Sequence, residues 1–334
     1  MKMQQSLLAV VIPTYNRKLF VMEAVDSILK QKVPSGWDFV VVVVDDGSSD
    51  GTYELLSGLS ALNAKLKVLV KNNGERGAAR NYGAEWTIKT LRPDWLLFFD
   101  SDDILSPGAL WEFASDGTKS DEWVAAYGAI QAWDGKAASV AAQRIKRSVE
   151  GDIAKLILKK PILPLGATFL KVSAYQSIGG FLEDRRMSGS EDWVFLTRLA
   201  LAGRIRFIPK LMTLYRQHSG NTDPERCLIS IQLALAAAVP YVTEHPTIED
   251  PLKQLFRLEV FLKAGVLIAQ NRLPAARKLI AGAVAKDRRL LADWTLWSLR
   301  LVMLKNQLRD ATGFGKWVKE VRNKIANSLP SLPR

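Results

Sequence analysis

Four apolar runs of strand length punctuate the first hundred residues, at Leu7–Ile12, Phe39–Val44, Leu66–Val70 and Trp95–Phe99. Each is continuous rather than alternating, the pattern of parallel strands covered on both faces. Between them the apolar positions change period. Val21, Ala24, Val25, Ile28 and Leu29 fall at i, i+3, i+4, i+7 and i+8, one face of a helix. Leu55, Leu56, Leu59 and Leu62 form a shorter stripe, and Ala79, Tyr82, Gly83 and Trp86 another. Strand–helix–strand alternation predicts right-handed crossovers and a doubly wound open sheet.

After residue 120 the pattern loosens. Short strands are expected around Trp123–Ile130 and Gly166–Lys171. A helix is expected from Glu191 to Ala202, with Trp193, Leu196, Thr197 and Ala200 on one face. Gly203 then reads as its C-cap. Beyond Pro224 the chain reads as almost entirely helical, with apolar stretches at Leu228–Ala238, Leu252–Ile268 and Trp294–Leu304.

Composition narrows the class. The 334 residues are 48% apolar and 24% charged, ordinary for a globular chain of about two domains. The single Cys227 excludes a disulfide framework or a multi-cysteine metal site and fits a reducing compartment. His218 and His245 are too few for an all-histidine centre. No apolar run reaches the roughly 20 residues of a membrane span. Leu7–Ile12 runs into Pro13-Thr14-Tyr15-Asn16-Arg17 rather than a small-residue cleavage site, so it reads as a buried strand and not as a secretory leader.

The net charge of +12 is unevenly placed: residues 225–334 hold 18 Lys/Arg against 9 Asp/Glu. A composition boundary therefore falls near Pro224, separating residues 1–224 from a basic helical region, 225–334. In that region Trp294, Trp297 and Trp317 are interleaved with Arg300, Lys305, Arg309, Lys316 and Lys319. This mixture suits an in-plane helix on an anionic membrane surface; the other reading is helices that pack on the rest of the chain or form a homodimer. No nucleic-acid module is recognisable, so nucleic acid is not an expected partner.

Three polar clusters follow the predicted strands: Pro13–Arg17, Asp45-Asp46-Gly47-Ser48-Ser49-Asp50-Gly51-Thr52, and Asp100-Ser101-Asp102-Asp103. Ligands of open α/β sheets bind outside the carboxyl ends of strands, so the three should meet at one crevice. Gly47–Gly51 reads equally as a turn and helix start. Three carboxylates within four residues repel one another unless compensated, and a hard divalent cation is the natural compensation. Asp103 has a second reading, in the turn before a helix start at Ser106-Pro107. There is no Walker A sequence and no Gly-x-Gly-x-x-Gly, which leaves a nucleotide diphosphate held through a metal.

These motifs resemble those of the family 2 glycosyltransferases. Val11–Arg17 and Val44–Thr52 are similar to the family's opening motifs, and the order continues with Asn72-Asn73-Gly74, Gly77-Ala78-Ala79-Arg80-Asn81, Asp100–Asp103, and Gly179-Gly180-Phe181 ahead of Ser190-Glu191-Asp192-Trp193. The resemblance extends over residues 5–222 and implies the nucleotide-diphospho-sugar transferase fold, a Rossmann-like mixed α/β sheet, followed by a helical C-terminal extension. It also implies roles. Pro13, Thr14 and Tyr15 would line the nucleoside pocket beside Arg17 and Asp46, and Asp45 would accept a hydrogen bond from the base. Asp100, Ser101 and Asp102 match the Asp-x-Asp motif of ribose and metal contact, with Mn2+ or Mg2+ as the cofactor; His218 would be a further ligand, or else is a structural hydrogen-bonding residue. Arg80 would meet the diphosphate, or else is a solvated helix arginine.

Asp192 is the implied general base. Family 2 enzymes invert the anomeric carbon, and an acceptor hydroxyl is a poor nucleophile until a carboxylate takes its proton, a gain of about 10²–10⁴-fold. Glu191 either shares its charge with Asp192 or merely favours a helix start. The implied function is sugar transfer from a UDP-sugar to a glycan or lipid-linked acceptor in cell-surface polysaccharide synthesis, by a cytoplasmic enzyme associated peripherally with the inner membrane face. The alternative is a catalytically silent nucleotide- or carbohydrate-binding protein on the same fold.

Overall fold

The computed structural model describes residues 5–117, 122–133, 149–158, 162–187, 189–217, 224–245, 248, 250–270, 272–287 and 290. His218 and the tryptophan- and lysine-bearing stretch from residue 294 lie outside the described residues.

The first half winds as the apolar periods require. Strand β1 (Ser6–Thr14) leads to α1 (Lys18–Leu29), then β2 (Trp37–Asp45), α2 (Thr52–Leu62), β3 (Leu66–Val70), α3 (Glu75–Leu91) and β4 (Trp95–Phe98). β1 pairs in parallel with β2 and β4, and β2 with β3. Val10, Val11, Val41, Val42, Leu96 and Leu97 are all fully buried, as strands covered on both faces must be. The second half follows as β5 (Ile104–Leu105), α4 (Ala109–Glu112), β6 (Trp123–Trp133), α5 (Ala154–Ile157), β7 (Thr168–Lys171), α6 (Val172–Ile178), α7 (Glu191–Ala202) and β8 (Arg204–Arg216). Among the described residues the eight strands form one mixed sheet in the order β3-β2-β1-β4-β7-β6-β8-β5. The Rossmann-like mixed sheet expected from the sequence is therefore present.

Gly203 is the C-cap of α7 as expected, in an extended rather than a left-handed conformation, with a φ of 164°. A Cβ there would come within 2.5 Å of Val124 Cγ1, so glycine lets the turn press against β6. Pro107 lies in a turn rather than in the first turn of a helix, and α4 begins at Ala109, whose N–H donates to the Ser106 carbonyl.

Among the described residues three helices follow: α8 (Pro224–Thr243), α9 (Pro251–Ala269) and α10 (Leu273–Lys286). The chain divides into two compact units between Leu255 and Phe256, inside α9 and not at the charge boundary near Pro224. The physical reason is α8, which buries Ile231, Ala234, Leu235 and Ala238 and donates from Ser230 Oγ to Ser190 Oγ at 2.5 Å, just ahead of α7. In the second unit Leu258, Ala264, Ala276 and Ile280 are buried, and Arg257 pairs with Asp287 at 3.0 Å. Among the described residues no helix is long and apolar enough to cross a membrane.

α3 comes very close to the sheet at Gly83, where a Cβ would lie 2.6 Å from Val11 Cγ1 and 2.7 Å from Val44 Cγ2. Gly83→Ala should therefore cost about 1–3 kcal/mol through overpacking. Gly58 in α2 meets nothing within 4 Å, and Gly58→Ala should stabilise by about 0.4–1 kcal/mol. Urea unfolding of the two variants checks the opposite signs.

Candidate functional site

The three polar clusters meet in a cleft of about 400 Å³ at the carboxyl ends of the parallel strands. Pro13, Thr14, Tyr15, Arg17, Asp46, Arg80, Asp100, Ser101, Asp102, Glu191 and Asp192 all line it, as expected from sequence. The first two clusters are laced together. Asn16 N–H donates to Ser48 Oγ at 2.9 Å, Ser49 N–H to Asn16 Oδ1 at 2.8 Å, and Lys18 N–H to Asp50 Oδ2 at 3.1 Å. Asn16 takes a φ of 50°, a left-handed conformation that asparagine tolerates.

The adjacent carboxylates of the second cluster part company. Asp45, 1% exposed, accepts the Ser48 N–H at 2.8 Å and is absent from the cleft lining. Its side chain is committed to the turn that closes β2, off the cleft lining on which a base contact was expected. Asp46 faces the cleft, its Oδ1 accepting from Gly74 N–H at 2.9 Å and Lys71 Nζ at 2.8 Å. Thr14 Oγ1 is buried on the same cleft with no hydrogen-bond partner among the described residues, an orphan that a bound ligand would satisfy.

Arg80 lines the cleft and excludes one of its two sequence readings. At 2% exposure it is no solvated helix residue, and its two terminal nitrogens are already engaged. Nη2 donates to Asp100 Oδ1 and Nη1 to Glu191 Oε1, both at 2.7 Å. Burial alone would lower its pKa, but Asp100 and Glu191 more than reverse that and hold it protonated. Asp100 is the reciprocal case: burial pushes its carboxyl up, and Arg80 together with Arg76 and Arg17 brings it below the ordinary value.

Glu191 is equally committed. Its Oε1 pairs with Arg80 and its Oε2 accepts the Gly189 N–H at 2.6 Å, so it fixes the loop in front of α7. Asp192 accepts from Trp193 N–H at 2.7 Å and makes no ion pair among the described residues. Burial first, then the neighbouring Glu191, push its carboxyl up to about 6. A carboxylate on a cleft with a pKa so close to neutral suits a proton acceptor.

Asp102 pairs with Arg17 at 3.3 Å on the cleft, both side chains partly exposed. Asp103 lies behind it, absent from the lining, where burial and the charges of Asp100 and Asp102 push it up to about 8. Its Oδ1 accepts the Arg216 N–H at 3.0 Å, which makes it a structural carboxyl. Arg76 and Tyr215 line the cleft and were not singled out from sequence, and Asn73 lines it from within the Asn72-Asn73-Gly74 motif. Arg76 was legible in principle, since it stands four residues before Arg80 on the same helix face.

Residues 9–179 match the profile described as Glycosyl transferase family 2. An uncharacterized glycosyltransferase of Mycoplasma pneumoniae is 26% identical over 316 residues, spanning 89% of this chain and 96% of that protein. The poly(ribitol-phosphate) β-N-acetylglucosaminyltransferase TarS of Staphylococcus aureus is 35% identical over 108 residues, which are 32% of this chain and 18% of TarS. A crystal structure of TarS with UDP-GlcNAc superposes with a TM-score of 0.59 at 20% identity, covering 90% of this chain and 88% of the other. A mannosyltransferase from Pyrobaculum calidifontis, in complex with GDP-Man and Mn2+, gives 0.54 at 18% identity, covering 92% and 88%. At these identities the superpositions establish the fold.

Removing the cation from a buried pair leaves uncompensated charge. Arg80→Met should lower stability by about 3–5 kcal/mol, measured by denaturant unfolding, with Arg80→Lys losing less. Equal stability of Arg80→Met and the parent chain would mean that Asp100 and Glu191 do not depend on this guanidinium.

Proposed function

The chain belongs to glycosyl transferase family 2, and from that premise we propose that it transfers a sugar from a UDP-sugar, with inversion, to a hydroxyl of a glycan or lipid-linked acceptor in cell-surface polysaccharide synthesis. The observation that carries this reading is the division of labour in one cleft: Asp100–Asp102 beside the nucleoside-side residues, and Asp192 facing the cleft with, among the described residues, no ion pair of its own. Two structural neighbours were solved with nucleotide-sugars, one of them UDP-GlcNAc, which supports a donor of this class.

On this reading Asp46, rather than Asp45, accepts a hydrogen bond from the base, and the orphan Thr14 hydroxyl meets the nucleoside. Arg76 is exposed on the cleft and, among the described residues, has no hydrogen-bonded carboxylate, so it is the arginine available to the diphosphate. Magnesium-class ions bind through one or two carboxylates plus substrate phosphates and waters. Asp102 with Asp100 offers such a hard-oxygen set, and among the described residues no ready-made cluster of three ligands exists, so donor and protein would hold Mn2+ or Mg2+ together. When bound, the ion neutralises charge on the departing diphosphate.

Asp192 takes the proton of the acceptor hydroxyl. The freed oxygen attacks the anomeric carbon opposite the diphosphate, and the bond from that carbon to the diphosphate oxygen breaks. Arg80 and Glu191 hold the loop that presents Asp192, and neither exchanges a proton in the step.

Binding, turnover and pH dependence test the reading. UDP with Mn2+ should raise the melting temperature well above either alone, chelation should abolish transfer, and full turnover in excess EDTA would overturn the metal assignment. Asp192→Asn should leave donor affinity near wild type and lower kcat by about 10²–10⁴-fold. Because the base works only when deprotonated, wild-type kcat/KM should fall as pH drops through about 6, the value to which burial and Glu191 raise Asp192. Normal kcat with weakened donor binding in Asp192→Asn would reassign the residue to binding.

A further inference from the structure

Arg216 ends β8 and is absent from the cleft lining, yet it holds the Asp100–Asp103 loop from behind. Its Nε donates to the Asp102 carbonyl at 2.8 Å, its backbone N–H donates to Asp103 Oδ1 at 3.0 Å, and its Nη2 pairs with Glu23 on α1. The guanidinium lies 4.6 Å from the ring centre of Trp133 at the end of β6 and 5.1 Å from that of Phe20. Arg17, 5.7 Å from the same Phe20 ring, pairs with the Asp102 carboxylate. Two guanidiniums thus share one aromatic ring and grip one residue, Arg216 by its backbone and Arg17 by its side chain.

We propose that Arg216 is a positioning residue that fixes the Asp102 backbone so that the Asp102 carboxylate can pass from Arg17 to the metal and diphosphate without the loop moving. The proposal rests on the donor reading above. The two grips differ in kind. A partly exposed ion pair such as Arg17–Asp102 is weak in water and yields to a competing charge. The hold on the Asp102 carbonyl does not compete with any ligand of the carboxylate, and Arg216 itself is only 11% exposed, stacked on two rings and paired with Glu23. Lysine cannot reproduce this arrangement, since it lacks both the planar stacking surface and the forked donors.

Calorimetric titration of the full chain with UDP, with and without Mn2+, tests the clamp in Arg216→Lys and Arg216→Met. The expected result is a loss of UDP affinity of about 10–100-fold in the presence of Mn2+, the scale on which residues supporting a metal ligand act, with metal-free UDP binding close to wild type. Arg216→Lys keeps the charge and is the arm that decides if Arg216→Met fails to fold. Variants that bind UDP with Mn2+ as tightly as wild type, or that lose metal-free and metal-dependent binding equally, overturn the proposal. A wild-type chain that binds no UDP under either condition overturns the donor reading itself, and the clamp with it.

Discussion

The buried guanidinium of Arg80 is the point on which the site turns. Two carboxylates from distant parts of the chain, Asp100 after β4 and Glu191 at the start of α7, meet it at 2.7 Å each. Burying a charge is costly unless it is paired, so the Glu191 carboxylate, 5% exposed, depends on this cation, while Asp100, 35% exposed, meets it from the cleft side. The pairing ties the two halves of the sheet together at the cleft: one end carries the acids expected to manage the donor, the other the acid expected to take a proton. Burial first, and then the negative Glu191 beside it, push the Asp192 carboxyl up to about 6, and among the described residues Asp192 makes no ion pair of its own.

α3 is the element that makes this geometry achievable. Gly83 allows it to lie directly on β1 and β2, which sets Arg80 at the depth of the sheet edge. The next residue, Asn81, accepts from Phe181 N–H and Tyr175 Oη and donates to the Phe181 carbonyl and to Glu183. The segment leading to α7 is therefore fastened to the same helix turn that holds Asp100. Hydrogen bonds and ion pairs of this kind fix position more than they add stability, and position is what a displacement reaction needs.

Much of this was legible from residue order alone. The four apolar runs became the four parallel strands because continuous burial on both faces leaves a plain trace, and helix α7 appeared with the limits its stripe implied. β8 left no such trace. Of its thirteen residues only Arg204–Phe207 alternates basic and apolar; Pro209 then interrupts, the pairing with β6 slips register beside it, and no clean period survives. With β8 unseen, Tyr215 and Arg216 could not be placed at the site. The choice between Asp45 and Asp46 was closed to sequence reasoning for another reason: they are adjacent acids at a strand end, and only the Ser48 N–H, which claims Asp45, separates them. Likewise, the role of Arg80 depended on partners 20 and 111 residues away.

The central claim is that one cleft places a donor over Asp100–Asp102 and presents Asp192 to the acceptor while Arg80 holds both sides. A crystal structure of the chain with UDP-GlcNAc and Mn2+ tests it most directly. The account requires the diphosphate and metal at Asp100 and Asp102, the base beside Asp46, the sugar's anomeric carbon open toward Asp192, and Arg80 still between Asp100 and Glu191. A nucleotide bound elsewhere, or an Arg80 that leaves the two acids to bind the diphosphate, would contradict it.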